Sequence, residues 1–116
     1  MADVDDVRRI VSSLPRALEK PIYGTPGFRV ADKAFARLRD DEVLVAWVES
    51  LADKESLIGS KPAVFFTEPH YDGHSSVLVQ LSAIDIDELR EVLTDAWRAR
   101  APKRVLRQWD DSTTLS

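Results

Sequence analysis

An apolar run at residues 77–81 places the strongest constraint on the fold, because Val, Leu and Val follow one another and only Gln80 is polar. Such a run predicts a largely buried strand. The residues before it include Pro69 and Gly73, which are typical of turns. Residues 62–81 therefore predict a strand, an ordered loop and a second strand. The loop would display four polar or ring-bearing side chains, namely His70, Tyr71, Asp72 and His74.

Length and cysteine content limit the class of protein. With 116 residues, 44% of them hydrophobic, the chain is predicted to form one domain that buries roughly 65% of the surface of its unfolded state. The absence of cysteine excludes disulfides, thiolate metal sites and cysteine nucleophiles. It also favours a reducing, cytoplasmic location.

The charge and the hydropathy pattern of the chain bear on two kinds of partner, membranes and nucleic acids. The N-terminal segment is acidic, and no apolar run approaches the ~20 residues that span a bilayer, so neither secretion nor a membrane partner is predicted. The formal net charge of −4 opposes unspecific attraction to phosphate polymers. A local basic patch nevertheless acts within a Debye length of about 8 to 10 Å.

The first half of the chain predicts a helix followed by strands. Apolar residues recur at helical spacing over residues 4–14, behind a capping residue at Asp3. Residues 16–20 lie between prolines and predict at most a short turn. Residues 28–38 predict a β-hairpin, and residues 43–48 predict a central strand.

The second half predicts two helices around the 62–81 segment. Residues 50–60 predict a short helix that is stopped by Gly59 and Pro62. Asp85 and Glu88 have the spacing of a capping box, and the apolar stripe that follows includes Trp97. We therefore expect Trp97 to be buried between the last helix and the sheet.

This order of elements predicts an α+β fold. The expected architecture is a two-layer sandwich, with an antiparallel sheet of about five strands and helices packed on one face. The other face would be solvated or would bind a partner. Residues 1–109 are predicted to form the single, monomeric domain, and the polar residues 110–116 a mobile tail.

Four segments occur in an order that resembles the MmcQ/YjbR family of small bacterial proteins. They are SLP at residues 13–15, YGTPGFRVADKAFARL at 23–38, FFTEPHYDG at 65–73 followed by VLVQL, and LTDAWRARAPKR at 93–104. The resemblance implies a domain similar to the frataxin-like CyaY fold, in a family commonly labelled DNA-binding or uncharacterised. It brings no catalytic or binding motif that could be transferred to particular residues.

Two groups of basic residues are candidates for phosphate contacts. The first group lies on the predicted hairpin and comprises Arg29, Lys33 and Arg37, with Arg39 close by. The alternative for this group is a solvated strand face. The second group alternates with Trp97 and Trp109, which suggests base stacking, and comprises Arg98, Arg100, Lys103, Arg104 and Arg107. The alternative is that these cations complement the C-terminal end of the helix dipole.

The histidine loop is a weaker candidate. Its residue types suit a metal, but Pro69 and Gly73 disfavour the helix that would bring His70 and His74 onto one face, so no metal site is predicted. The frataxin-like fold also raises iron binding by carboxylates at residues 3–6 or 40–42, which equally fit solvated surfaces. No catalytic motif and no cofactor are predicted.

The sequence thus favours a non-catalytic binding module. DNA is the preferred partner, because the family label and the two basic groups agree. The alternative is a protein-interaction or small-ligand-binding domain of the same fold. The distribution of charge over the folded surface distinguishes the two hypotheses.

Overall fold

The computed structural model describes residues 2–107, which form one six-stranded antiparallel sheet with helices packed against it. The strand order is β1-β2-β3-β4-β6-β5. The strands are β1 (Ala17–Glu19), β2 (Gly27–Val30), β3 (Lys33–Leu38), β4 (Val43–Trp47), β5 (Phe65–Phe66) and β6 (Ser76–Gln80). The helices are α1 (Val4–Ser12), α2 (Leu51–Ser60) and α3 (Ile86–Arg100), and residues 103–107 are also helical. The predicted α+β sandwich is confirmed.

The main core lies between α1, α3 and one face of the sheet. Ile10 of α1 and Leu93 of α3 are buried against Phe28 of β2 and Leu44 of β4. Asp3 caps α1 by accepting a hydrogen bond from the Asp6 amide at 3.0 Å. The apolar stripes of both helices therefore provide the packing that holds them on the sheet. No helix within residues 2–107 has the length and apolar character needed to cross a membrane.

A β-bulge in β3 sets which side chains face the helices. Phe28 pairs with Ala36 and Arg29 pairs with Ala34, so Phe35 is the extra residue. Phe35 and Ala36 are consecutive, yet both are buried in the main core, because a bulge interrupts strict alternation.

Residues 16–20 differ from their prediction as a turn. Residues 17–19 form the edge strand β1, in which Leu18 pairs with Arg29. The sequence of β1 carries only a weak strand pattern, because its apolar residue Leu18 is 53% exposed. Buried and exposed side chains therefore do not alternate along this strand. Gly27 permits this pairing, since a Cβ there would lie 2.8 Å from the Lys20 carbonyl oxygen.

The helix predicted at residues 50–60 is confirmed as α2, but its buried residue was not predicted. Gly59 lies inside the helix instead of ending it, and Leu51 is exposed. Lys54 is the buried residue. The capping box predicted for α3 is half formed: Asp85 accepts from the Glu88 amide at 2.8 Å, whereas the Glu88 carboxylate pairs with Lys61.

Candidate nucleic-acid interface

The β2–β3 hairpin ends in a two-residue turn that positions the first basic group. Ala31 and Asp32 both have positive φ, 48° and 68°, as a type I′ turn requires. The Arg29 Nη1 donates to the Asp32 carbonyl oxygen at 3.2 Å. Arg29 is therefore held at the hairpin end, beside the turn that leads into Lys33.

Arg100 joins the C-terminal end of α3 to this hairpin. The β3–β4 pairing stops at Ala36 and Ala46. Beyond that point, the Arg100 Nε donates to the Ala34 carbonyl oxygen at 3.0 Å. The guanidinium also lies 5.7 Å from the centre of the Trp47 ring, within cation–π range. Arg100 of the second basic group therefore lies against the hairpin that carries the first group.

We call this region the hairpin-end surface and define it by five cations, Arg29, Lys33, Arg100, Lys103 and Arg104. Within residues 2–107, none of the five forms an ion pair with an acidic side chain. Arg39, by contrast, is paired with Glu68 and Asp40. The hydrogen bond to Glu68 raises the pKa of Arg39 above its ordinary value. The hairpin-end surface thus carries five cations without an acidic partner among residues 2–107, and Asp32 is the acidic residue of its turn. Cations elsewhere in the described chain, such as Lys20 and Arg90, also lack an ion pair.

Arg37 lies apart from that surface, on the face of the sheet opposite α1 and α3. Its Nη2 donates to the Tyr71 hydroxyl, and its guanidinium lies 5.7 Å from the centre of the Tyr23 ring. Tyr23 is 92% exposed. Tyr71 was predicted to be displayed by its loop, but it is buried against Val43, Val45 and Leu78. Its ring is needed there to cover this otherwise open face.

Trp97 and two cations of the predicted C-terminal group occupy other environments. Trp97 is fully buried, which confirms the predicted packing, and its Nε1 donates to the Pro15 carbonyl oxygen at 2.9 Å. It is therefore not exposed for base stacking. Arg98 lines a separate cleft between α2 and α3. Arg107 is exposed at the end of the described residues, and Trp109 and the predicted tail lie outside them.

The histidine loop is organised by hydrogen bonds within the protein. His70, Asp72 and His74 are exposed, and the two histidine ring centres lie 6.3 Å apart. The Thr67 hydroxyl donates to Asp72 at 3.0 Å. In the part of the chain that the structure describes, no group of three His, Asp or Glu residues could hold a metal ion.

The two predicted carboxylate runs serve local structure. Asp3 and Asp6 exchange hydrogen bonds at the start of α1. Asp40 accepts from the backbone amides of Glu42 and Val43, and the Glu42 amide lowers the pKa of Asp40. These carboxylates thus cap a helix and close a turn.

Lys54, which contacts the histidine loop, is a buried residue that the sequence patterns did not predict. Its Nζ donates to the carbonyl oxygens of Tyr71 at 2.6 Å and His74 at 3.1 Å. Burial lowers the pKa of Lys54, and the charge of Asp72 partly opposes that shift. Lys54 therefore ties α2 to the loop that covers the open face. A lysine flanked by charged residues on a short helix carries no signal of such burial.

Comparisons with family models, curated proteins and solved structures all find similarity to one family of proteins. The YjbR family model matches residues 12–99. The uncharacterized protein Rv2570 of Mycobacterium tuberculosis and its Mycobacterium bovis counterpart Mb2600 are each 36% identical to this chain. Each alignment covers 91% of this chain and 94% of the relative. The crystal structure of Deinococcus radiodurans protein DR2400, with a DUF419 domain, superposes with a TM-score of 0.69 at 25% identity. That match covers 84% of this chain and 77% of the neighbour.

Proposed function

This chain belongs to the YjbR family, and we propose that it binds nucleic acid without catalysing a reaction. The proposed binding uses phosphate contacts at the hairpin-end surface. The observation that carries the proposal is the hydrogen bond from Arg100 to the Ala34 carbonyl. It joins the C-terminal end of α3, which precedes Lys103 and Arg104, to the strand that begins at Lys33, and we propose that cations from both basic groups face one partner.

The charge distribution supports this proposal despite the net charge of −4. A net-acidic protein attracts a polyanion only where unpaired cations are concentrated, because screening limits their reach to about 8 to 10 Å. The hairpin-end surface meets that condition within residues 2–107. Arg37 and the exposed Tyr23 ring lie at the opposite end of β2 and β3 from the turn, so they are not part of this surface.

We expect the Lys103→Gln, Arg104→Gln double variant to bind single- and double-stranded DNA with a shallower salt dependence. Each lost phosphate contact should flatten the slope of log affinity against log salt by about 0.7 to 0.9, because fewer condensed counterions are released. Titrations of wild type and variant at several salt concentrations measure this slope. The thermal midpoint should change little.

The matched control is the Arg9→Gln, Arg90→Gln double variant. It makes the same change in net charge at two exposed α1 and α3 positions away from the hairpin end. Its salt slope should equal that of the wild type. Unchanged DNA binding by the Lys103→Gln, Arg104→Gln variant, together with lowered stability, would assign those cations to the helix end instead.

A further inference from the structure

A cleft of about 570 Å³ opens between α2 and α3. This volume lies in the range of small-ligand sites. Its apolar lining comes from the ends of β4 and β5, the two helices and the following segment, and includes Trp47, Val48, Leu57, Phe65, Val92 and Leu106. The cleft therefore offers a hydrocarbon group a surface away from water.

Carboxylates dominate the polar lining of the same cleft. They come from both walls, with Glu49 and Asp53 at the α2 side and Glu88, Glu91 and Asp95 on α3. Arg98 is the cation among the lining residues, and Lys61 reaches Glu88 at 2.8 Å. Negative charge thus exceeds positive charge among the lining side chains, with the Arg100 guanidinium beside Trp47 at one end of the cleft.

Asp95 shows the energetic consequence of that excess. Partial burial raises the pKa of Asp95 above its ordinary value. The charge of Arg98 opposes this shift, whereas the charges of Asp53 and Glu49 add to it. The ionised Asp95 is therefore less stable in the folded protein than in water. A cation bound between these carboxylates would relieve the repulsion.

The combination of lining groups selects one chemical class of occupant. An anion or a nucleic acid would be repelled by the carboxylates. A neutral apolar molecule would remove water from them without supplying a counter-charge. A strongly hydrated cation without a hydrocarbon group would not use the apolar lining.

We propose that the cleft between α2 and α3 binds a small organic amine, with its hydrocarbon group on the apolar lining and its ammonium group among Asp53, Glu91 and Asp95. The half-buried Trp47 provides aromatic surface at one end of the cleft, beside the Arg100 guanidinium, whereas Phe65 is buried beneath the lining. The site borders the hairpin-end surface at Trp47, whose ring the Arg100 guanidinium approaches, and the proposal requires none of the five cations that define that surface.

Phenethylamine is the test ligand, and phenylacetate, which has the same ring with a negative group, is its control. In titrations of the full chain followed by amide chemical shifts, phenethylamine should shift resonances of cleft residues. Phenylacetate should shift none of them. Methylamine, which has the same single ammonium charge but no ring, should bind more weakly than phenethylamine. Equal binding of phenethylamine and phenylacetate, or of phenethylamine and methylamine, would overturn the proposal.

Asp95→Asn tests the role of the carboxylates. It should weaken phenethylamine binding about fivefold, the effect of removing one attractive charge pair at about 4 Å in water. Its thermal midpoint should not fall, because the pKa of the removed carboxylate is raised in the folded protein; an unchanged or higher midpoint shows that the weaker binding does not come from unfolding. Asp87→Asn, an exposed first-turn position outside the cleft lining, should leave the affinity unchanged. An unaltered affinity in Asp95→Asn would contradict the assignment.

Discussion

Replacing Trp97 with alanine should lower the free energy of unfolding by about 3 to 5 kcal/mol. The indole is fully buried between α3 and the sheet, and its Nε1 donates to the Pro15 carbonyl. The substitution removes the largest fully buried side chain and leaves both a cavity and an unsatisfied carbonyl. Chemical denaturation of the wild type and the variant measures the difference.

Trp97→Phe separates packing from hydrogen bonding. It keeps an aromatic ring in the core but cannot donate to Pro15, so its loss should be smaller than that of the alanine variant. A loss below about 1 kcal/mol for Trp97→Ala would contradict the buried position of this side chain.

Replacing Lys54 with methionine should lower the free energy of unfolding by about 1 to 3 kcal/mol. Methionine fills a similar volume but cannot donate to the Tyr71 and His74 carbonyls. In the variant the Tyr71 carbonyl oxygen still accepts a hydrogen bond from the His74 amide. The His74 carbonyl oxygen loses the hydrogen bond from Lys54, so most of the cost arises there. Burial lowers the pKa of the Lys54 ammonium group, so removing this group returns part of the free energy of unfolding. This return limits the net loss.

The Lys54 effect should also be local. Amide hydrogen exchange should accelerate in residues 69–75, because the loop loses its link to α2. Lys61→Met is the matched control: it makes the same substitution at an exposed lysine paired with Glu88, and exposed pairs contribute about 0 to 1 kcal/mol. Equal losses in the two variants would show that burial of Lys54 has no particular importance.

Elements with a strong local pattern could be predicted from the sequence. Hydrophobic periodicity predicts the apolar stripes of α1 and α3, the β2–β3 hairpin and the apolar strands β4 and β6. β1 could not be predicted, because Leu18 is exposed and its strand conformation depends on pairing with β2. The burial of Lys54 likewise depends on a loop that lies 17 to 20 residues away.

The candidate sites depended even more on tertiary structure. The residue types of both basic groups were visible in the sequence, but their meeting results from a contact between Arg100 and Ala34, 66 residues apart. The same folding separates Arg98 and Trp97 from that group. The acidic cleft combines residues of two helices that are distant in sequence, so no single segment indicated it.

The outer strands of the sheet have a consequence for self-association. β1 has three residues and β5 has two, so each outer strand offers few backbone groups with which another molecule could extend the sheet. Beyond β1, Lys20 is exposed and Pro21 has no amide hydrogen to donate. Short edges that are followed by charge and proline resist intermolecular strand addition. The folded chain should therefore tolerate high concentration without growing into sheet-based fibres.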